Sequence, residues 1–198
     1  MFWDKVAWIY DLVQGIYNGK VYRGTGKIIA REISKEDNVL ECACGTGAIT
    51  LCIAPRCNQL IATDMSQGML RQAAKKLKKF DNVELKIADI NKLEYDDGRF
   101  DKVVAGNVIH LLNDPYVALK ELLRVCKIGG KVIIPTYINI YGGKSSKAVK
   151  VFEKAGASFK RQFDLESYKD FYKSAGYENV EYHCVEGKMP CAIAVITK

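Results

Sequence analysis

The chain has 198 residues, a formal net charge of +7, 48% hydrophobic and 27% charged residues, and seven cysteines. That length suits a single domain with a sizeable core, and no apolar run reaches the roughly 20 residues of a membrane span. The odd cysteine count, the non-zinc spacings Cys42-x-Cys44 and Cys52-x₄-Cys57, and only two histidines argue for buried free thiols, with no metal site and no disulfide framework.

In chain order, residues 3–18 and 22–34 read as two helices parted at Asn18-Gly19. No basic-then-apolar leader opens the chain, so a cytoplasmic location is expected. Strands are expected at 37–43, 59–63, 83–88, 100–106 and 131–137, with helices near 47–54, 66–80 and 115–126 between them. The helix at 66–80 sets Met69, Ala73, Leu77 and Phe80 against Lys75, Lys76, Lys78 and Lys79. Much of the positive charge is then a solvated helix face, and nucleic-acid binding is not expected. Asp114-Pro115 is a helix start and Gly129-Gly130 a helix stop. Residues 138–160 are polar, glycine-bearing and basic, and receive no element. A helix at 164–175 runs from Asp164 to Gly176, and β-rich runs at 177–185 and 190–197 end the chain. Alternating β and α followed by a terminal hairpin implies a mostly parallel α/β sheet with an antiparallel edge pair.

The chemistry concentrates at Val39–Gly47, which reads V-L-E-C-A-C-G-T-G. The register Gly45-Thr46-Gly47-Ala48-Ile49-Thr50 has Thr where a dinucleotide fingerprint has its third glycine, and no Gly-Lys-Ser/Thr follows. A pyrophosphate or nucleotide-triphosphate site is therefore disfavoured. Asp64 ends a second apolar run 23 residues after Glu41. That is close to the ~20-residue interval at which a βαβ unit offers a carboxylate to a ribose diol. A nucleoside cofactor without phosphate fits best: Gly45 and Gly47 let the chain pass beneath it, Asp64 accepts from two hydroxyls, and Glu41 offers charge to a cationic group.

Val39–Gly47 resembles the V-L-D-x-G-C-G-T-G signature of class I S-adenosylmethionine-dependent methyltransferases, with Ala43 for the first glycine and Glu41 for Asp. Ile61–Ser66, Ile87–Ile90 and Phe100–Val104 resemble the family's next three strand motifs. Leu122–Val132 is similar to its helix-to-fifth-strand stretch, with Ile128 in place of Pro. Phe2–Asp11 resembles the opening helix of the ubiquinone/menaquinone-biosynthesis-like (methyltransferase type 11/25) branch. The resemblance implies a Rossmann-like, seven-stranded sheet in the order 3-2-1-4-5-7-6. It also implies one domain over 1–198, with a helical lid at 1–34 and a core at 35–198.

It further implies methyl transfer from S-adenosyl-L-methionine, with S-adenosyl-L-homocysteine as product, to a small-molecule acceptor. Met65 would pack on the adenine face, Asp89 accept from the adenine amino group, and the Ile90 amide address a ring nitrogen. The Asn107 and Gly106 carbonyls would meet the methionyl amino group. Tyr10 or Tyr22 would bond the cofactor carboxylate through a hydroxyl, and Arg23 would pair with it. His110, three residues past Asn107, is a candidate general base at the mouth, the other reading being a histidine packed at a helix or loop start. Asn113-Asp114-Pro115-Tyr116 is read as a helix cap. Two alternatives stay open: a cofactor-binding protein that lost turnover, and an RNA-directed methyltransferase. A monomer or homodimer is expected.

Overall fold

A computed structural model describes residues 2–139 and 160–198; most of the basic 138–160 stretch lies outside them. Helix α1 (Phe2–Ile29) is two helices joined across Asn18, whose φ of −139° and ψ of 27° are non-helical. The break falls at the expected Asn18-Gly19, and tertiary structure holds it there. Asn18 Nδ2 donates to the Met189 carbonyl at 2.8 Å, and Asn18 Oδ1 accepts from the Met189 amide at 3.3 Å. The second half is packed through buried Val21 and Ile29, and it ends at Ile29 rather than at residue 34.

The strands are β1 (Asn38–Cys42), β2 (Gln59–Asp64), β3 (Val83–Ile87), β4 (Phe100–Ala105), β5 (Cys126–Tyr137), β6 (Val180–Val185) and β7 (Cys191–Thr197). They form one seven-stranded sheet, β3-β2-β1-β4-β5-β7-β6, as the resemblance implies. Pairings from β3 to β5 are parallel, and β7 is antiparallel to both β5 and β6. Parallel strands covered on both faces need continuous apolar runs. Accordingly Val39, Leu40, Val103, Val104, Val132, Ile133 and Ile134 are all buried.

Helices α2 (Thr50–Ile53), α3 (Gln67–Leu77), α4 (Pro115–Val125) and α5 (Leu165–Ser174) flank the sheet. The expected caps form. Asp114 Oδ1 accepts from the Tyr116 amide at 3.0 Å with Pro115 in the first turn. Asp164 and Ser167 make a reciprocal capping box. One core layer joins α4 and α5 to the sheet through Leu122, Phe171 and Tyr168; the other joins α1 and α2 through Val21, Ile29 and Ile53. The buried tyrosines are satisfied, Tyr172 donating to Tyr168 Oη at 2.8 Å and Tyr168 to the Ile134 carbonyl at 2.5 Å.

Gly129-Gly130 is not a helix stop. Helix α4 ends at Val125, and the glycine pair lies inside β5. There Phe100 pairs with Cys126 but Lys102 pairs with Lys131, so β5 carries extra residues past a short step of β4. Gly129 takes φ +77°, and a Cβ on Gly130 would lie 2.7 Å from the Asp101 carbonyl. Only glycines let the strand jog that closely past its neighbour.

Candidate active site

Sheet order reverses between β1 and β4, and ligands of open α/β sheets bind beyond the strand ends at such a point. A cleft of about 400 Å³ opens there, within the range for a small-molecule site. Its floor is the loop after β1. Ala43, Gly45 and Gly47 all have left-handed φ, at 54°, 55° and 82°. A Cβ on Gly45 would meet nothing within 4 Å, so the loop leaves open space above it, whereas Gly47 is pressed against Leu77 and Ala73 of α3.

Ala43 holds this left-handed backbone at a cost of ~1–2 kcal/mol for an L-residue in this region. Glycine would relieve that strain but restore entropy to the unfolded chain, about 0.4–1 kcal/mol. Ala43→Gly is therefore expected to raise stability by roughly 0.5–1 kcal/mol. Urea denaturation measures this, and a lower midpoint would show that the loop is not strained at Ala43.

Asp64 closes β2 at the cleft edge. Its Oδ2 accepts from the Gly45 amide at 2.9 Å and its Oδ1 from the Ser66 amide at 2.8 Å. Burial raises its pKa against those two amide bonds. The cap of α3 is Ser66, whose Oγ accepts from the Met69 amide, so Asp64 keeps its carboxylate at the cleft wall. Met65, half exposed, and buried Ile90 line the same end beside Ala88. Gly106 and Asn107 line the wall after β4, and Asn107 too is left-handed, at φ 51°.

The roof is α1. Phe2, Trp3, Tyr10 and Tyr22 line the cleft, with Trp3 edge-on to Tyr10 at 6.1 Å. Burial holds the Tyr22 hydroxyl protonated far beyond its usual range. Two carboxylates fasten this roof. Asp4 Oδ1 accepts from Ser66 Oγ at 2.7 Å and the Gly68 amide at 2.8 Å, at the start of α3. Those bonds depress its pKa to about 2. Asp11 accepts from Thr46 Oγ1 of the glycine loop at 2.5 Å and pairs with Lys76 at 2.6 Å. Sequence reasoning missed both fastenings, because a carboxylate on a helix face carries no mark of its distant partner.

Four expected site residues lie elsewhere. Glu41 is fully buried beneath the loop, its Oε2 accepting from Thr50 Oγ1 at 2.7 Å and its Oε1 without a hydrogen-bond partner. Burial raises its pKa to about 8, so it is a largely neutral acid and not a standing charge at the cleft. Asp89 is exposed; its Oδ1 accepts from the Asn91 amide and side chain, which closes a turn. Arg23 is exposed, folded back over Gly19 of its own helix. His110 is 5% exposed, its Nδ1 2.9 Å from Thr136 Oγ1 of β5, and burial lowers its pKa to about 4.

A short 3₁₀ turn at Ile109–Leu111 rolls the His110 ring into the core and presents Val108, Leu111 and Leu112 to the cleft instead. His110→Ala is expected to cost ~2–4 kcal/mol of stability, through the cavity and an orphaned Thr136 hydroxyl. Turnover per folded molecule should stay within about twofold; a loss of 10² or more would restore a role in proton transfer. Lys160, which sequence reasoning also missed, joins the cleft wall because its amide bonds the His110 carbonyl at 3.1 Å.

Residues 40–134, which hold the loop, Asp64 and the Gly106-Asn107 wall, match the family model described as a methyltransferase domain. The chain has the class I S-adenosylmethionine-dependent methyltransferase fold, and a methyltransferase domain match lies across its cleft-forming half. The chain is 26% identical to the demethylmenaquinone methyltransferase of Staphylococcus carnosus, over 93% of this chain and 86% of that protein. It is 25% identical to the demethylmenaquinone methyltransferase of Clavibacter sepedonicus, over 90% and 82%. Its fold is shared with the phosphoethanolamine N-methyltransferase 2 of Haemonchus contortus, solved with S-adenosyl-L-methionine (TM-score 0.73, 21% identity, 92% of this chain and 43% of that one). It is shared also with an S-adenosylmethionine-dependent methyltransferase of Aquifex aeolicus (TM-score 0.65, 19% identity, 90% and 93%). Among the described residues, no helix is long and apolar enough to cross a membrane.

Proposed function

We propose that this methyltransferase moves the methyl group of S-adenosyl-L-methionine to a small, largely apolar acceptor, and that a quinol-type ring is the first acceptor to test. The observation that carries the cofactor half is the pairing of an open left-handed loop with the Asp64 carboxylate at the β1/β4 switch point. The quinol suggestion comes from the named activity of the relatives above.

The cofactor supplies an electrophilic methyl on a sulfonium whose thioether is a good leaving group. The chain's own residues bind, align and exclude water. Asp64 accepts from the ribose hydroxyls while its amide bonds keep the carboxylate in place. Met65, Ala88 and Ile90 cover the base, and the Ala43–Gly47 backbone passes beneath the sugar and methionyl chain. Asn107 borders the methyl, and Val108, Leu111 and Leu112 form the acceptor wall. Phe2, Trp3 and Tyr10 close from above, so that nucleophile, methyl and sulfur meet in line in a dry space. His110 has no part in proton transfer in this scheme.

S-adenosyl-L-methionine and S-adenosyl-L-homocysteine are expected to raise the melting temperature, and NAD is not. Binding only to the native state adds about 2.7 kcal/mol at a hundredfold excess over Kd. A shift with NAD and none with the sulfonium cofactor would overturn the proposal.

A further inference from the structure

We propose that Lys160 holds an acidic oxygen of the acceptor as its anion, and so does the work expected of a general base. This rests on the cofactor reading above. Among the described residues lining the cleft, only Asp64 and Lys160 carry charged side chains of opposite sign, and they sit at different ends. Asp64 belongs to the β2 end. Lys160 is tied by its amide to the His110 carbonyl, within the segment that presents Val108, Leu111 and Leu112. Lys160 therefore joins the cleft on the side of Val108, Leu111 and Leu112, past β4, where the cofactor reading delivers the methyl. Lys160 is not engaged in an ion pair with a described residue.

The other titratable groups lining the cleft are Tyr10, Tyr22 and Cys44; Arg161 adjoins Lys160 along the chain. Burial keeps Tyr22 and Cys44 protonated. With His110 turned into the core, no neutral imidazole faces this wall. A nearby cation instead lowers the acceptor's own pKa. The hydroxyl proton passes to bulk water. The resulting enolate or phenolate donates an electron pair to the methyl carbon, a new C–C or C–O bond forms, and the C–S bond breaks with its pair left on sulfur. The substrate class this selects is an apolar ring or chain bearing an acidic hydroxyl.

The test uses 4-nitrophenol, whose anion absorbs in the visible, with the full chain saturated by S-adenosylhomocysteine. Bound 4-nitrophenol should ionise roughly one pH unit below its value in water. Lys160→Met should abolish that shift, Lys160→Arg should keep most of it, and neither should alter S-adenosylhomocysteine affinity. An equal shift in Lys160→Met, or no 4-nitrophenol binding to the loaded wild type, overturns the proposal. So does weaker binding of S-adenosylhomocysteine but not of 5′-methylthioadenosine to Lys160→Met, which would assign Lys160 to the cofactor carboxylate. Failure of S-adenosylhomocysteine to bind the wild type overturns the cofactor reading itself, before any phenol is added.

Discussion

Asp64→Ala is expected to weaken S-adenosylhomocysteine binding by roughly 10²–10⁴-fold. Two hydroxyl bonds to a charged acceptor contribute ~1.5–3 kcal/mol each, and about 1.4 kcal/mol is a factor of ten. The structure adds a second consequence. The same carboxylate accepts from the Gly45 and Ser66 amides, so its removal frees the glycine loop from β2. A stability loss of ~1–3 kcal/mol should accompany the affinity loss. Asp64→Asn, which keeps one acceptor oxygen and turns the other into an NH2 donor, should fall between wild type and Asp64→Ala in calorimetry. A folded Asp64→Ala protein with wild-type affinity would place the ribose elsewhere.

Glu41 should make the unliganded protein less stable as the pH rises. Its pKa goes from the ordinary carboxylate value of 4.5 to about 8 on folding, because burial disfavours the charged form. The folded state then binds more protons than the unfolded state between those values, and stability falls with pH across that window. Below pH 4.5 both states are protonated and the cost vanishes; above about 8 it is complete. Its size is on the order of 5 kcal/mol, at 1.36 kcal/mol per pKa unit. Glu41→Gln keeps an acceptor for Thr50 and cannot ionise, so its stability should exceed that of the wild type at pH 8.5 and converge near pH 4.5. His110 acts with the opposite sign. Its neutral ring in the fold, with a pKa lowered to about 4, makes stability fall as pH drops below 6.5. The wild-type-minus-variant difference isolates Glu41. Parallel urea midpoints for the two proteins at both pH values would mean that Glu41 is solvated.

Both residues illustrate how far local pattern reaches. The 23-residue spacing placed Asp64 at the cleft because the spacing is set by one strand, one short helix and the next strand, all visible as apolar runs. The tight turn at Gly45 and Gly47 was legible for the same reason, since few residues tolerate such φ and glycine marks it; the left-handed φ of Ala43 was not. Glu41 lies beneath the loop, and His110 takes the packed of its two readings, because strand alternation and one turn of 3₁₀ helix decide which way a side chain points. A strand alternates faces at every residue, and residue spacing along the chain does not say which face the loop and α2 cover.

The sequence by itself determined the element order, the parallel core with its antiparallel edge, the caps at Asp114 and Asp164, and the carboxylate at Asp64. Each of these depends on residues close together in the chain: an apolar run, a cap beside its helix, a turn with its glycines. Tertiary structure alone decided the rest. The roof is fastened by Asp4 to Ser66 and Gly68 and by Asp11 to Thr46 and Lys76, partners more than 30 residues away. Lys160 reaches the cleft by bonding a carbonyl 50 residues back. Glu41 becomes a buried acid only when loop, α2 and sheet close over it. Long-range contacts of this kind depend on how helices seat on the sheet, and no local spacing of residues encodes that seating.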